Sequence, residues 1–258
     1  MTAGLSAGAL PVDRVLRRDQ RGSSSPIVVA TSDGPFFVKL RGAAQGTSAL
    51  VAEVVVASLA DRLGLPVPER RIVALAADTP SDDRNDELAD LLQASVGENL
   101  GFRFIAEARP FVAADLPGVT RDFAAEVCWL DWLTLNPDRS PSNPNLMVEG
   151  ARLWLIDHGA ALPFQHDWSA VTESSPLRPA LKVPHILAEI GGDVAQWDAH
   201  LTERIGREDL IAALDQVPDS FLAPLIAPPP DAEGIARRRQ AYVAFLWKRL
   251  RGPHHFSA

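Results

Sequence analysis

The hydrophobic period changes from two to about 3.6 residues between positions 26 and 63, and this change constrains the fold most. "PIVVATSDGPFFVKL", residues 26–40, holds two β-rich runs joined by Ser-Asp-Gly, a hairpin turn signal. In the second run Phe36, Val38 and Leu40 share one face, and Phe37 and Lys39 share the other. Then Leu50, Val51, Val54, Val55, Leu59 and Leu63 recur at helical spacing. Thr47 is the expected N-cap, Gly64 suits the C-terminus, and Pro66 lies just beyond.

Other elements follow the same logic. Residues 10–16 and "VPERRIVAL" read as strands, and "RRDQRGSSSP" as a small-residue loop before the hairpin. Residues 77–90 are polar and acidic and read as a surface excursion, ending in a short helix with Leu88, Leu91 and Leu92. "GFRFIAEARPF" reads as a strand running into a connector. An amphipathic helix is expected over 119–135, with Phe123, Val127, Leu130 and Leu133 on its apolar face. "NLMV" and "RLWLID" form a second hairpin around "EGA". Beyond 165 the chain reads as helical, broken at "APPPDAEG", with a last helix over 232–250. The connector separates a strand-rich part, 1–108, from a helix-rich part, 109–258, giving an α+β chain.

At 258 residues and 47% hydrophobic, the chain can bury a sizeable core. A net charge of −8 argues against a general nucleic-acid binder. Its single cysteine, Cys128, excludes an internal disulfide and a cysteine-rich zinc site, and reads as a buried structural thiol. The start of the chain has no signal-peptide pattern, and no apolar run reaches the roughly 18 residues of a membrane span. A cytoplasmic protein is expected, and the richness in Ala, Arg, Leu and Pro suits a GC-rich bacterial genome.

Two polar clusters break the apolar second half. "NPDRSPSNPNLMV", residues 136–148, places Asp138 and Asn143 five positions apart on one loop, and "LWLIDHG", residues 153–159, ends a strand on Asp157. One carboxylate is then free to act as a base, while an amide oxygen and a second carboxylate supply hard ligands of the kind Mg²⁺ takes beside phosphates. That inventory is half of a phosphoryl-transfer site, in which one Asp takes the proton of the attacking hydroxyl and an Asn and another Asp hold Mg²⁺ against the phosphates. Gly159 is expected to let the chain turn after Asp157. The other half needs a cation for the α/β-phosphates and a carboxylate to hold it. Lys39 on its strand and Glu53 on the next helix have those types in that order. Gly22, Ser23 and Ser24 lie in the small-residue loop, where backbone N–H groups and hydroxyls can donate to phosphate oxygens.

These segments, "FFVKLRGAAQG…E", "GFRFIAEA", "NPDRSPSNPNLMV" and "LIDHG", resemble the HipA-like kinases, in a compact branch without a long N-terminal extension. "DRSPSNPNLM" is also similar to the D-R-H-x-x-N-I-M loop of phosphoinositide-type kinases. The resemblance implies a bilobal protein-kinase-like fold, with a small β-rich N-lobe carrying one helix, a larger helical C-lobe, and ATP between them. It implies Asp138 as the catalytic base, Asn143 and Asp157 as Mg²⁺ ligands, Lys39 on phosphate supported by Glu53, adenine contacts around Phe104, Ile105 and Ala106, and a serine or threonine phosphoacceptor; a small partner protein is a further expectation. It also implies autophosphorylation at one of Ser23, Ser24 and Ser25. The departures are Asn136-Pro137 before the base, where protein kinases have His-Arg, Ser140 in place of the loop histidine, and Gly22 as the only glycine of the phosphate loop.

Three other functions fit the residues. One is a small-molecule kinase acting on an antibiotic or lipid headgroup; the second is a nucleotide-binding pseudokinase or partner-binding module; the third is another transfer from ATP in the same pocket, such as AMP transfer. His158 reads as a turn-filling residue, and Trp129, Trp132 and Trp154 as packing. The stretch "ARRRQ" around 236 reads as a solvated helix face, and His254-His255 as an idle tail.

Overall fold

The computed structural model describes residues 5, 8–18, 26–83, 85–180, 183–254 and 256. The chain divides into two compact units, Met1–Leu50 with Pro68–Ala106, and Val51–Val67 with Glu107–Ala258.

The first unit is built on six strands: β1 (Leu10–Pro11), β2 (Arg14–Arg18), β3 (Ile27–Thr31), β4 (Gly34–Lys39), β5 (Arg70–Leu75) and β6 (Gly97–Arg103). Their order in the sheet is β1-β5-β6-β4-β3-β2, antiparallel except for β1 with β5. The hairpin read from the sequence is present: β3 and β4 pair from Ile27↔Val38 to Thr31↔Gly34, and Gly34 has φ 90°, which a residue with a Cβ rarely adopts. Strand alternation buries Phe36, Val38 and Leu40 in one core with Val15, Ile27, Val29, Val73 and Leu88. Lys39 falls on the other face.

The acidic excursion is tied down rather than loose. Val15 N–H donates to Pro80 C=O at 2.9 Å, and Asp82 N–H donates to Val15 C=O at 2.9 Å. Those bonds cover the outer edge of β2, whose unpaired groups would otherwise stay open to another strand. The expected short helix follows as α2 (Asp86–Ala94). Asn85 caps it by accepting from Leu88 N–H, and Leu88 enters the core while Leu91 and Leu92 pack against it. Helix α1 (Gly46–Leu63) precedes α2 in the chain. It begins at Gly46, so Thr47 is a buried residue of its first turn and not the expected N-cap.

The second unit holds α1 from Val51 onward, a three-stranded sheet and the remaining helices. Valines 51, 54, 55 and 56, Leu59 and Leu63 of α1 are all buried. Each contributes about 1.5–3 kcal/mol of apolar burial. The small sheet runs β7 (Arg109–Pro110), β8 (Leu146–Glu149), β9 (Arg152–Leu155) in that order. Helix α3 (Arg121–Thr134) is capped by Thr120, which accepts from Phe123 N–H. Then come α4 (Ala188–Gly191), α5 (Ala195–Arg204), α6 (Arg207–Asp215), α7 (Asp219–Leu222) and α8 (Ala232–Arg251). Together the β-rich first unit and the helical second unit bear out the expected α+β, kinase-like fold.

Two surface readings are corrected. Ala236, Arg237 and Gln240 of the "ARRRQ" stretch are exposed as expected, but Arg238 and Arg239 are half-buried. The Arg238 guanidinium stacks 4.8 Å from the Trp168 ring, and Arg239 donates to the Leu214 and Val217 carbonyls at the end of α6. His254 is not idle either. Its Nδ1 lies 2.6 and 2.7 Å from the Asp198 carboxylate oxygens, and its ring sits 4.4 Å from that of Trp132. Asp198 also accepts from Trp129 Nε1 at 2.8 Å. Trp129 and Trp132 are buried, as read; Trp154 is half-buried, with the Arg152 guanidinium 3.7 Å above it. His255 lies outside the described residues.

Candidate active site

Helix α3 ends in a left-handed turn. Leu135 has φ 55°, its N–H reaches back to Trp132 C=O, and Asn136 N–H donates to Asp131 C=O at 2.8 Å. This 6→1 and 5→2 pair of bonds is the ending that glycine usually provides. A leucine accepts the left-handed cost of about 1 kcal/mol. The chain then enters the loop that carries Asp138.

Each turn of that loop is fixed by a side chain. Asn136 Oδ1 accepts from Asp138 N–H at 3.1 Å. Ser140 and Asn143 exchange backbone bonds of 3.0 and 3.1 Å, so the chain folds back on itself. Asn143 Nδ2 thereby donates to both carboxylate oxygens of Asp138, at 2.9 and 3.0 Å. Asn145, at φ 48°, directs its Nδ2 to the Asp138 carbonyl, to the Asp138 carboxylate at 3.3 Å, and to the Asp157 carbonyl at 3.4 Å. The β8–β9 hairpin, in register at Leu146↔Leu155, returns the chain so that Asp157 arrives beside Asn145. The structure thus brings Asp138, Asn143 and Asp157 into one constellation.

The expected turn after Asp157 is made differently. The left-handed residue is Asp157 itself, φ 55°, and Gly159 is not among the described glycines with positive φ. Leu135, Asn145, Asp157 and Leu162 are the non-glycine residues with positive φ among those described, and all four lie between 135 and 162. Such conformations persist only where surrounding bonds over-determine them, and they gather at functional sites.

Beneath the loop lies a buried network that the sequence reading missed. Asp131, inside the apolar face of α3, accepts from Arg139 Nε at 2.6 Å, Asn136 Nδ2 at 2.8 Å and His185 Nε2 at 3.0 Å. Burial opposes its ionisation most strongly. The Arg139 charge and the His185 bond outweigh that and hold its carboxyl well below the ordinary range. Arg139 also donates to Asn145 C=O at 2.6 Å and lies 3.4 Å from His158 Nδ1. His158 is therefore a buried member of this network. Cys128 Sγ lies 3.3 Å from His185 Nδ1, and burial, with the Asp131 charge, pushes its thiol up to about 12. His185 Nδ1 already accepts from Leu187 N–H at 3.1 Å, so it meets a protonated thiol, not a thiolate. The sequence signal for this network was a carboxylate inside "EVCWLDWL".

The remaining expected residues lie on other elements. Lys39 ends β4, pairs with Leu100 of β6, and is 6% exposed. Glu53 is on α1 and is 0% exposed. Both are buried ionisable groups, which a fold keeps only when their charge is compensated. Phe104, Ile105 and Ala106 follow β6. Phe104 N–H donates to Pro35 C=O at 3.1 Å, and the Arg103 side chain fixes the strand end by bonding Glu69 at 3.0 Å and Asp33 at 3.1 Å. Gly22, Ser23, Ser24 and Ser25 lie outside the described residues.

No cluster of three or more His, Cys, Asp or Glu suited to a metal occurs among the described residues. Asn143 and Asp157 offer one amide oxygen and one carboxylate, the donor types that a hard cation such as Mg²⁺ takes beside water and phosphate oxygens. Among the described residues, no helix is long and apolar enough to cross a membrane.

Comparison with curated proteins gives no match. A family model described as HipA-like kinase matches residues 12–176, a span that contains β2 to β9, the Asp138 loop and Asp157. With that match over more than half of its length, the chain belongs to the HipA-like kinase family.

Proposed function

We propose that this kinase transfers the γ-phosphoryl group of ATP to a serine or threonine hydroxyl, with Asp138 as the base. One observation carries the reading: within a single loop, Asn143 and Asn145 both donate to the Asp138 carboxylate, and Asn145 also reaches Asp157. A carboxylate held in this way has a fixed direction toward an incoming hydroxyl. Asp138 takes the hydroxyl proton as the oxygen bonds to the γ-phosphorus. The bond from that phosphorus to the β,γ-bridging oxygen breaks, and ADP leaves with the electron pair. Asn143, through its Oδ1, and Asp157, through its carboxylate, would hold Mg²⁺, which when bound neutralises charge on the phosphates. Lys39 serves as the phosphate cation and Glu53 as its supporting carboxylate. Backbone groups of residues 104–106 meet the adenine.

The test is label transfer from γ-labelled ATP with Mg²⁺, presented to a protein fraction and to a small-molecule fraction of a bacterial lysate. Transfer to protein serine or threonine, lost in Asp138→Ala, supports the reading. Transfer only into the small-molecule fraction replaces the acceptor with an antibiotic- or headgroup-like hydroxyl. No transfer and no nucleotide binding would leave a partner-binding module.

A further inference from the structure

Asp138 is reached from two sides, and both routes start at one buried carboxylate. On the first, Asp131 Oδ1 accepts from Asn136 Nδ2 at 2.8 Å, and Asn136 Oδ1 accepts from Asp138 N–H at 3.1 Å. On the second, Asp131 Oδ2 accepts from Arg139 Nε at 2.6 Å. Arg139 Nη1 donates to Asn145 C=O at 2.6 Å, and Asn145 Nδ2 donates to the Asp138 carboxylate at 3.3 Å. Asp131 also grips Asn136 through its own backbone carbonyl, at 2.8 Å. A third donor, His185 at 3.0 Å, comes from a segment that is itself bonded to the loop, since Ile186 N–H donates to Arg139 C=O at 3.0 Å.

We infer that Asp131 and Asn136 are positioning residues for the carboxylate of Asp138, and this rests on the reading of Asp138 as the base. Asp131, on a buried helix, is the rigid anchor. Asn136 is the relay, because its amide has one donor and one acceptor face and spends both between the anchor and the Asp138 backbone. Nothing in core packing requires that arrangement. A buried partner for Arg139 would be satisfied by Asp131 alone, and the Asn136 link adds only direction at residue 138. Misplacing a reacting group by about 1 Å can cost about a hundredfold in rate, so such a link is worth most at a base.

The deciding variant is Asn136→Ala in the full chain. It deletes both relay bonds and leaves the Asp131–Arg139 and Asp131–His185 pairs intact, so no buried charge is orphaned. Asp131→Asn is the complementary variant, although it strands Arg139 and risks unfolding. The first readout needs no turnover: ¹⁵N relaxation of the Asp138 amide. In wild type its order parameter is expected near about 0.85, and in Asn136→Ala below about 0.6, with α3 unchanged. The second readout is phosphate release from ATP with Mg²⁺ beside the Kd for Mg-ATP. Asn136→Ala is expected to lower kcat by about tenfold to a hundredfold while Kd stays within about twofold.

An unchanged order parameter, or an unchanged kcat in the folded variant, overturns the positioning role and leaves Asp138 as base intact. Equal losses in kcat and in affinity overturn it as well, because the link would then serve binding. If wild type neither binds nor turns over ATP, the kinase mechanism itself fails. The relaxation result then decides separately whether Asn136 orders the loop.

Discussion

Arg139 and Asp131 form an ion pair of 2.6 Å in which neither side chain is more than 3% exposed. The pair ties the loop that carries Asp138 to the helix before it. Removing one partner leaves the other charge buried and uncompensated, so Asp131→Ala or Arg139→Ala is expected to destabilise the fold by about 3–5 kcal/mol. Replacing both with apolar residues of similar volume is expected to cost less than the two single losses together. Urea unfolding of the four proteins checks this, and additive losses would contradict it.

The same pair sets an acid limit. The folded-state carboxyl of Asp131 is held below its ordinary 3.8, chiefly by Arg139 and His185 acting against burial. A depressed carboxyl contributes stability that is fully present above its unfolded-state value and is lost as pH falls through the folded-state value. Stability is therefore expected to hold from neutrality to about pH 4 and then decline, with Asp131→Asn showing a shallower decline. Urea midpoints taken from pH 7 down to pH 3 give the comparison; parallel profiles would contradict the assignment.

Cys128 is expected to resist thiol reagents in the folded chain. Burial and the neighbouring Asp131 push its thiol up to about 12 from an ordinary 9.0. That reduces the thiolate fraction at pH 8 by roughly a thousandfold. Labelling with a disulfide reagent should be slow in buffer and fast in concentrated urea. Rapid modification of the native protein would show a thiol far less enclosed than this one.

His254→Ala is expected to destabilise the chain by about 1–3 kcal/mol, since it breaks the bond to Asp198 and removes a ring from Trp132. A urea midpoint equal to that of wild type would return this residue to the idle tail that its sequence position suggests.

What could be read from the sequence depended on how far apart the partners lie. Asp138 and Asn143 are five residues apart, and proline and asparagine mark the turns that join them, so local chemistry announced the constellation. The β3–β4 hairpin was legible for the same reason, through Ser-Asp-Gly and strict alternation. His185 and Asp131 are 54 residues apart, and His254 and Asp198 are 56 apart. No local pattern links such pairs, and only the packing of distant segments reveals them. The start of α1 was misplaced because Thr47 has the chemistry of a cap, while Gly46, at φ 63°, already begins the helix. Asp157 took the left-handed turn assigned to Gly159 because its carbonyl is held by Asn145, a constraint invisible in "LIDHG".

Asn143 and Asp157 are proposed to hold Mg²⁺ for a bound nucleotide. Thermal unfolding with ATP alone, and with ATP and Mg²⁺, tests it directly on wild type and Asp157→Ala. A ligand present at about a hundred times its Kd stabilises the folded state by about 2.7 kcal/mol. Wild type is expected to gain a magnesium-dependent rise in Tm that Asp157→Ala lacks. An equal rise in both proteins, or none in wild type at millimolar nucleotide, would contradict the claim.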